Sequence, residues 1–173
     1  MGDDLLFEKA KQKAFRLLSV RSRSIKELRL KLKERGFEET VVNNVIDRLL
    51  DLKYLDDEAF AKDWARNLAV NRLWGNRKIE ISLLEKGISG ELAEQSIVHA
   101  REEIGERDAI QKLVEKKCDK AVASEADARF ISTKEKGRLI RNLMGRSFPL
   151  GLIFDVLGDV PGNTKEEYFD DRE

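Results

Sequence analysis

The sequence predicts an all-α protein made of three tandem three-helix repeats, and two observations carry that reading. The first is a motif met three times: an apolar ladder that advances by four residues and runs into the same kind of stop. Its copies are Leu28, Leu32, Gly36, Phe37, then Ile79, Leu83, Gly87, Ile88, then Leu139, Leu143, Ser147, Phe148. Beyond each stop a second stripe opens at matching offsets: Val41, Val42, Ile46, Leu49, then Leu92, Ala93, Ile97, Ala100, then Leu152, Ile153, Leu157, Val160. Steps of four place each set on one helical face. The second observation is what is missing. Prolines occur only at Pro149 and Pro161, and no β-branched or aromatic cluster announces a strand.

The stop has a physical logic. If Gly36 is the left-handed residue just past a helix end, Leu32 falls where it packs on Phe37, as a Schellman ending requires. The same register pairs Leu83 with Ile88 and Leu143 with Phe148. Glycine adopts the left-handed backbone freely, whereas Ser147 pays roughly 1 kcal/mol for it. Either the third repeat tolerates that strain or its helix stops earlier, at Gly145.

Taken in order, the first helix covers residues 4–20, with Phe7, Ala10, Ala14, Leu17 and Leu18 inward. Ser24 with Glu27 forms a capping box for the helix ending at Gly36, and Glu38 and Glu39 suit the positive start of the next. Asp56 caps a helix in which Phe60, Trp64 and Leu68 recur every four residues, extending to about Leu73. Trp74-Gly75-Asn76 breaks it, Asn76 caps the next helix, and Ser89 caps the one running to about Ile104. A seventh helix starts near Arg107, with Ile110, Leu113 and Val114 inward. Gly36 and Gly87 lie 51 positions apart but Gly87 and Ser147 lie 60 apart, so a polar insertion falls at about 116–127. Ser132 and Glu135 repeat the capping-box spacing. The repeats are accordingly 1–54, 55–104 and 105–160, with an acidic, frayed tail at 161–173.

Formal net charge is zero, with 38% of residues charged, yet the charge is unevenly spread. Residues 11 to 35 hold Lys11, Lys13, Arg16, Arg21, Arg23, Lys26, Arg29, Lys31, Lys33 and Arg35 against only Glu27 and Glu34. The far end is acidic, so one pole attracts polyanions and the other repels them. Cys118 is the only cysteine, which excludes an intrachain disulfide and points to a reducing compartment. No apolar run spans a membrane and no signal peptide opens the chain, so the expected location is the cytoplasm.

Chemistry finds little support. His99 is the only histidine and stands far from Cys118, giving neither a metal site nor a dyad. Asp56-Asp57 is explained by a helix start, and Gly87-Ile88-Ser89-Gly90 is a helix-to-helix turn. The expectation is a binding protein, not an enzyme, without cofactor or metal. The spacing of Phe60 and Trp64 implies burial; Trp74, beside Gly75, is the better contact residue.

Tyr54-Leu55-Asp56-Asp57-Glu58-Ala59-Phe60-Ala61 with Trp64 resembles the central signature of the RecX family of recombinase regulators. Ser22-Arg23-Ser24, Glu27-Leu28, Leu32 and Gly36-Phe37 resemble the family's first unit, and Arg77, Ile79, Leu83 and Lys86-Gly87-Ile88 its second. The resemblance covers roughly residues 8–158 and is most specific in its first two thirds. It implies an elongated, curved body that binds the RecA recombinase, in particular its filament on single-stranded DNA. It also implies restraint of RecA's ATP hydrolysis, strand exchange and co-protease activities. The expected contact residues are Arg21, Arg23, Lys26, Arg29 and Lys33 in the first repeat, with Arg72, Trp74, Arg77, Lys78 and Lys86 in the second. They would meet partner carboxylates or DNA phosphates, from a monomer.

A second reading is a direct nucleic-acid binder, since three helices with a glycine turn also resemble a helix-turn-helix. The final helix of the first repeat starts Glu38-Glu39-Thr40-Val41-Val42-Asn43-Asn44, with two carboxylates leading and no arginine to read guanine. Sequence-specific DNA binding is disfavoured; phosphate binding by the preceding helix is not.

Overall fold

The computed structural model describes residues 2–122 and 133–158, and within them every regular element is helical. The helices are α1 (Gly2–Val20), α2 (Ile25–Lys33), α3 (Glu39–Asp51), α4 (Asp57–Arg66), α5 (Asn76–Glu85), α6 (Gly90–Glu103), α7 (Glu106–Val122), α8 (Thr133–Gly145) and α9 (Leu150–Leu157). A π-helical turn, Asn67–Asn71, continues α4.

All three ladder stops are the same turn. Gly36, Gly87 and Ser147 have φ of +83°, +85° and +63°. Phe37, Ile88 and Phe148 donate their amides to Leu32, Leu83 and Leu143 at 3.4, 3.1 and 3.3 Å. Gly36, Gly87 and Ser147 donate to Lys33, Leu84 and Met144 at 2.9, 2.9 and 2.8 Å. This is the Schellman pair of hydrogen bonds, three times over. Ser147 therefore tolerates the left-handed strain. Leu32, Leu83 and Leu143 are each fully buried. The second stripes match too: Val41, Leu92 and Leu152 are half-buried, and Val42, Ala93 and Ile153 buried.

The chain forms two compact units: Met1–Ala65 with Glu80–Ser96, and Arg66–Ile79 with Ile97–Glu173. In the first, Ala10 and Ala14 of α1 meet Leu28 and Leu32 of α2, Val42, Val45, Ile46 and Leu49 of α3, and Leu55. The small alanines let α1 lie close to the other two helices. Phe7, Phe15, Leu17 and Leu18 cover the rim, and Phe15 meets Tyr54 edge-on at 5.0 Å. Each fully buried leucine here contributes about 1.5–3 kcal/mol. In the second unit α7 and α8 pack on α9, with Ile110, Leu139, Ile140, Leu143, Ile153 and Phe154 buried.

The caps follow the sequence with some reassignments. Ser24 Oγ accepts from Glu27 N at 3.1 Å, but Glu27 does not reach back; its carboxylate is taken by Arg21 and Lys86. Asp56 Oδ1 accepts from Ala59 N at 2.9 Å, and Ser89 Oγ from Leu92 N at 3.3 Å. Gly75, not Asn76, precedes α5: its carbonyl accepts from Lys78 N and Ile79 N. The carboxylate of Asp57 leaves its own helix to accept from Ile25 N at 2.8 Å, satisfying an orphan amide of α2. Burial raises the Asp57 carboxyl, and neighbouring Asp56 adds to that, against the Ile25 amide.

The helix expected to reach Leu73 widens instead at Asn67–Asn71, where Arg72 N bonds Asn67 O. It ends with Leu73 at φ +50° and Trp74 N on Leu68 O at 3.0 Å. The expected polar insertion is helical as far as Val122. Residues 123–132, and with them Ser132, lie outside the described residues, as do Val160 and the expected tail at 161–173.

Candidate partner-binding surface

The ten contact candidates separate by what their side chains already hold. Arg21 makes a bidentate pair with Glu27 at 2.9 and 3.1 Å, and Lys86 Nζ reaches the same carboxylate at 2.5 Å. Burial would lift the Glu27 carboxyl, but hydrogen bonds and charge from both cations bring it down to about 2. Lys86 Nζ also stands 5.1 Å from the centre of the Trp64 ring, whose Nε1 donates to Ser82 at 3.0 Å. The spacing implied burial of both aromatics; Phe60 is buried, whereas Trp64 is half-buried and stacks on it at 5.8 Å. Arg23 Nε donates to Leu17 O at 3.1 Å, closing a carbonyl at the end of α1. Arg29 donates to Asn43 Oδ1, and Lys33 pairs with Glu39 at 2.8 Å. Lys26 keeps an exposed ammonium, while its stem lies against Gly87, where an added Cβ would come within 2.7 Å.

In the second unit the picture changes. Arg72 and Arg77 are exposed, and neither guanidinium has a partner among the described residues. Lys78 Nζ donates to Gly145 O at 2.7 Å and stands 4.7 Å from the ring centre of half-buried Trp74. Arg146, half-buried, donates to the carbonyls of Arg72 and Leu73 and to Asn142 Oδ1. Arg141 joins them from α8. Arg72, Trp74, Lys78, Arg141 and Arg146, with Asn71 and Asn142, line an open cleft of ≈ 560 Å³. None of its four cations lies within 4.0 Å of a described carboxylate. Arg77 does not line it.

A set of internal bonds ties the two sides of this cleft together. Gly75 N donates to Arg146 O at 2.8 Å. Arg101 spans Asn76 Oδ1 and the Trp74 carbonyl, both at 2.6 Å, and Glu106 accepts from Asn76 N at 2.8 Å. Burial lowers the Arg101 pKa from its ordinary value, against the nearby charge of Glu106. Lys78 and Arg146 are thus held by carbonyl dipoles, which leave their positive charge uncancelled. The site was only half legible in the sequence. Arg141 and Arg146 lie far along the chain from Arg72–Lys78, and only the register shared by the three turns brings them in.

No group of three metal-ligating side chains gathers among the described residues. His99 is exposed and pairs with Glu102 at 3.1 Å. No described helix is long and apolar enough to cross a membrane.

Fold and surface together define an all-helical protein of three-helix domains with concentrated positive charge. The description "RecX, first three-helix domain" matches residues 10–49, and "RecX, second three-helix domain" matches residues 56–97. The regulatory protein RecX of Mycolicibacterium vanbaalenii is 30% identical over 159 residues, spanning 92% of this chain and 86% of that protein. Its counterpart in Geobacillus kaustophilus is 30% identical over 175 residues, spanning 96% of this chain and 62% of that one. The crystal structure of RecX from Lactobacillus salivarius superposes with a TM-score of 0.70 at 21% identity, covering 91% of this chain and 97% of that one. A second crystal structure, of regulatory protein RecX, gives 0.68 at 20% identity, covering 91% and 74%. The chain belongs to the RecX family of regulatory proteins.

Proposed function

We propose that this protein binds the RecA recombinase filament on single-stranded DNA and restrains its ATPase, strand-exchange and co-protease activities. It acts by occupying a surface, without catalysis, cofactor or metal, as a cytoplasmic monomer. Membership of a regulatory family supports the reading, and one observation carries it furthest: the cleft of Arg72, Lys78, Arg141 and Arg146 has four cations and no described carboxylate. Positive charge so gathered around an open cleft favours a negatively charged partner and speeds encounter with it. A filament on DNA offers phosphates and acidic side chains together. Trp74 adds an aromatic edge beside the charge.

The structure also chooses the residues for the test. Arg23, Arg29 and Lys33 hold internal bonds, so changing them confounds binding with folding. Arg72 and Arg141 have side chains without partners among the described residues. RecA ATPase on single-stranded DNA, titrated with the Arg72→Glu/Arg141→Glu protein, should need about tenfold more protein for half inhibition than the unaltered chain. Equal inhibition by both proteins removes the cleft from the mechanism. Direct nucleic-acid binding is the second reading, favoured by the same cations. It takes over if inhibition and binding to bare DNA share one midpoint.

A further inference from the structure

The basic stretch at the start of the chain has its own open cleft, lined by none of the expected contact residues. Lys9, Gln12, Lys13 and Arg16 project from one face of α1, and Arg35 and Phe37 reach the same place from the turn between α2 and α3. Together they line a cleft of ≈ 250 Å³ within the first compact unit. The neighbouring bases Arg21, Lys31 and Lys33 all have carboxylate partners at 2.9, 2.7 and 2.8 Å. Lys9, Lys13, Arg16 and Arg35 have neither an ion pair nor a side-chain hydrogen bond among the described residues.

We propose that this cleft is a seat for the phosphate backbone of a single nucleic-acid strand. Lys9, Lys13 and Arg16 stand at i, i+4 and i+7, so their charges repel along the helix by a few tenths of a kcal/mol per pair. Arg35, arriving across the cleft, adds to that repulsion instead of relieving it. An ordinary solvated face interleaves acids, as α1 does with Glu8 and Lys11 at 2.6 Å. Here the gathered sign calls for an external anion. The rest of the lining selects which kind. Protein interfaces centre on buried apolar anchors. This cleft has instead one amide, Gln12, and one half-buried aromatic, Phe37, among four cations. A charged groove with an aromatic edge is the arrangement that tracks a single strand and stacks a base.

The test uses the full chain without RecA, so it stands apart from the filament reading. Binding of a labelled single-stranded oligothymidine is followed by fluorescence anisotropy from low to moderate salt. The Lys9→Gln/Arg16→Gln/Arg35→Gln protein should bind about tenfold more weakly at low salt, with a log–log salt slope shallower by about two. Circular dichroism should show the helix content unchanged, because none of the three side chains holds the fold together. Equal affinity and slope for the two proteins overturns the proposal. So does loss of affinity in Arg72→Glu/Arg141→Glu alone, which would place the strand in the other cleft. Retained DNA affinity with lost binding to DNA-free RecA also overturns it, and assigns the cleft to an acidic protein surface.

Discussion

Lys86-Gly87 packs on the start of α2 and Arg146-Ser147 on the start of α5, each inside its own compact unit. The backbone device is the same and the chemistry is inverted. In the first, Ser24 Oγ donates to Lys86 O at 2.7 Å; in the second, Gly75 N donates to Arg146 O at 2.8 Å. The small residue has changed sides. Gly87 makes room on the incoming turn, whereas Gly75 makes room on the receiving helix, where a Cβ would lie 2.4 Å from Ser147 O. Charge has changed too. Glu27 takes Lys86 at 2.5 Å, but its counterpart three residues past the cap is Lys78, which bonds the Gly145 carbonyl and lines a cleft with another base, Arg146. The first contact is electrostatically closed and the second is left open. One fold can therefore supply a seam or a binding surface, depending on a few side chains.

The largest break expected is Gly75→Ala. Its methyl meets backbone atoms at 2.4, 2.6 and 2.8 Å, which cannot swing away as a side chain can. We expect a loss of about 2–4 kcal/mol in urea unfolding. Trp74 emission should change at low urea while Trp64 emission holds, each read in a variant lacking the other tryptophan. A common shift of both signals would show that the clash is not confined to the second contact.

Next comes Glu27→Gln, which leaves Arg21 and Lys86 without their acid and should cost about 1–3 kcal/mol. Acid should act on the same group. Its folded pKa, about 2, lies below its ordinary 4.5, so the pair's stabilisation is complete above pH 4.5 and fades as pH falls toward 2. Trp64 emission should follow that fade in the unaltered protein and lose much of it in Glu27→Gln. An identical acid profile in both would clear Glu27 of the effect. The smallest change is Ser147→Gly, relieving a φ of +63°. It should stabilise by about 0.5–1 kcal/mol in thermal unfolding, and a lower melting temperature would mean the serine is held by more than its backbone.

Helical class, the ladders, the left-handed turns and most caps were legible because they depend on neighbours within five residues. Leu32 and Phe37 find each other through the geometry of one turn. The π-helical widening at Asn67–Asn71 has no such local signature, since Phe60, Trp64 and Leu68 keep the ordinary spacing. The candidate surface was less legible still. Counting charges marks Arg21, Arg29 and Lys33 as readily as Arg72, but says nothing of which carboxylate lies opposite. Arg23 reads as a free base and closes a helix end instead.

What the sequence determined alone is the periodic part: which residues turn inward, where each helix stops, and the family those residues resemble. Those features follow from local backbone geometry and the burial of apolar side chains. Tertiary structure decided which charges cancel. Glu27 silences Lys86 across 59 positions of chain, while Arg146 and Lys78 line one cleft with no described carboxylate among its lining residues. Electrostatic pairing depends on distance in space, and in a packed chain that distance is set only when the helices dock.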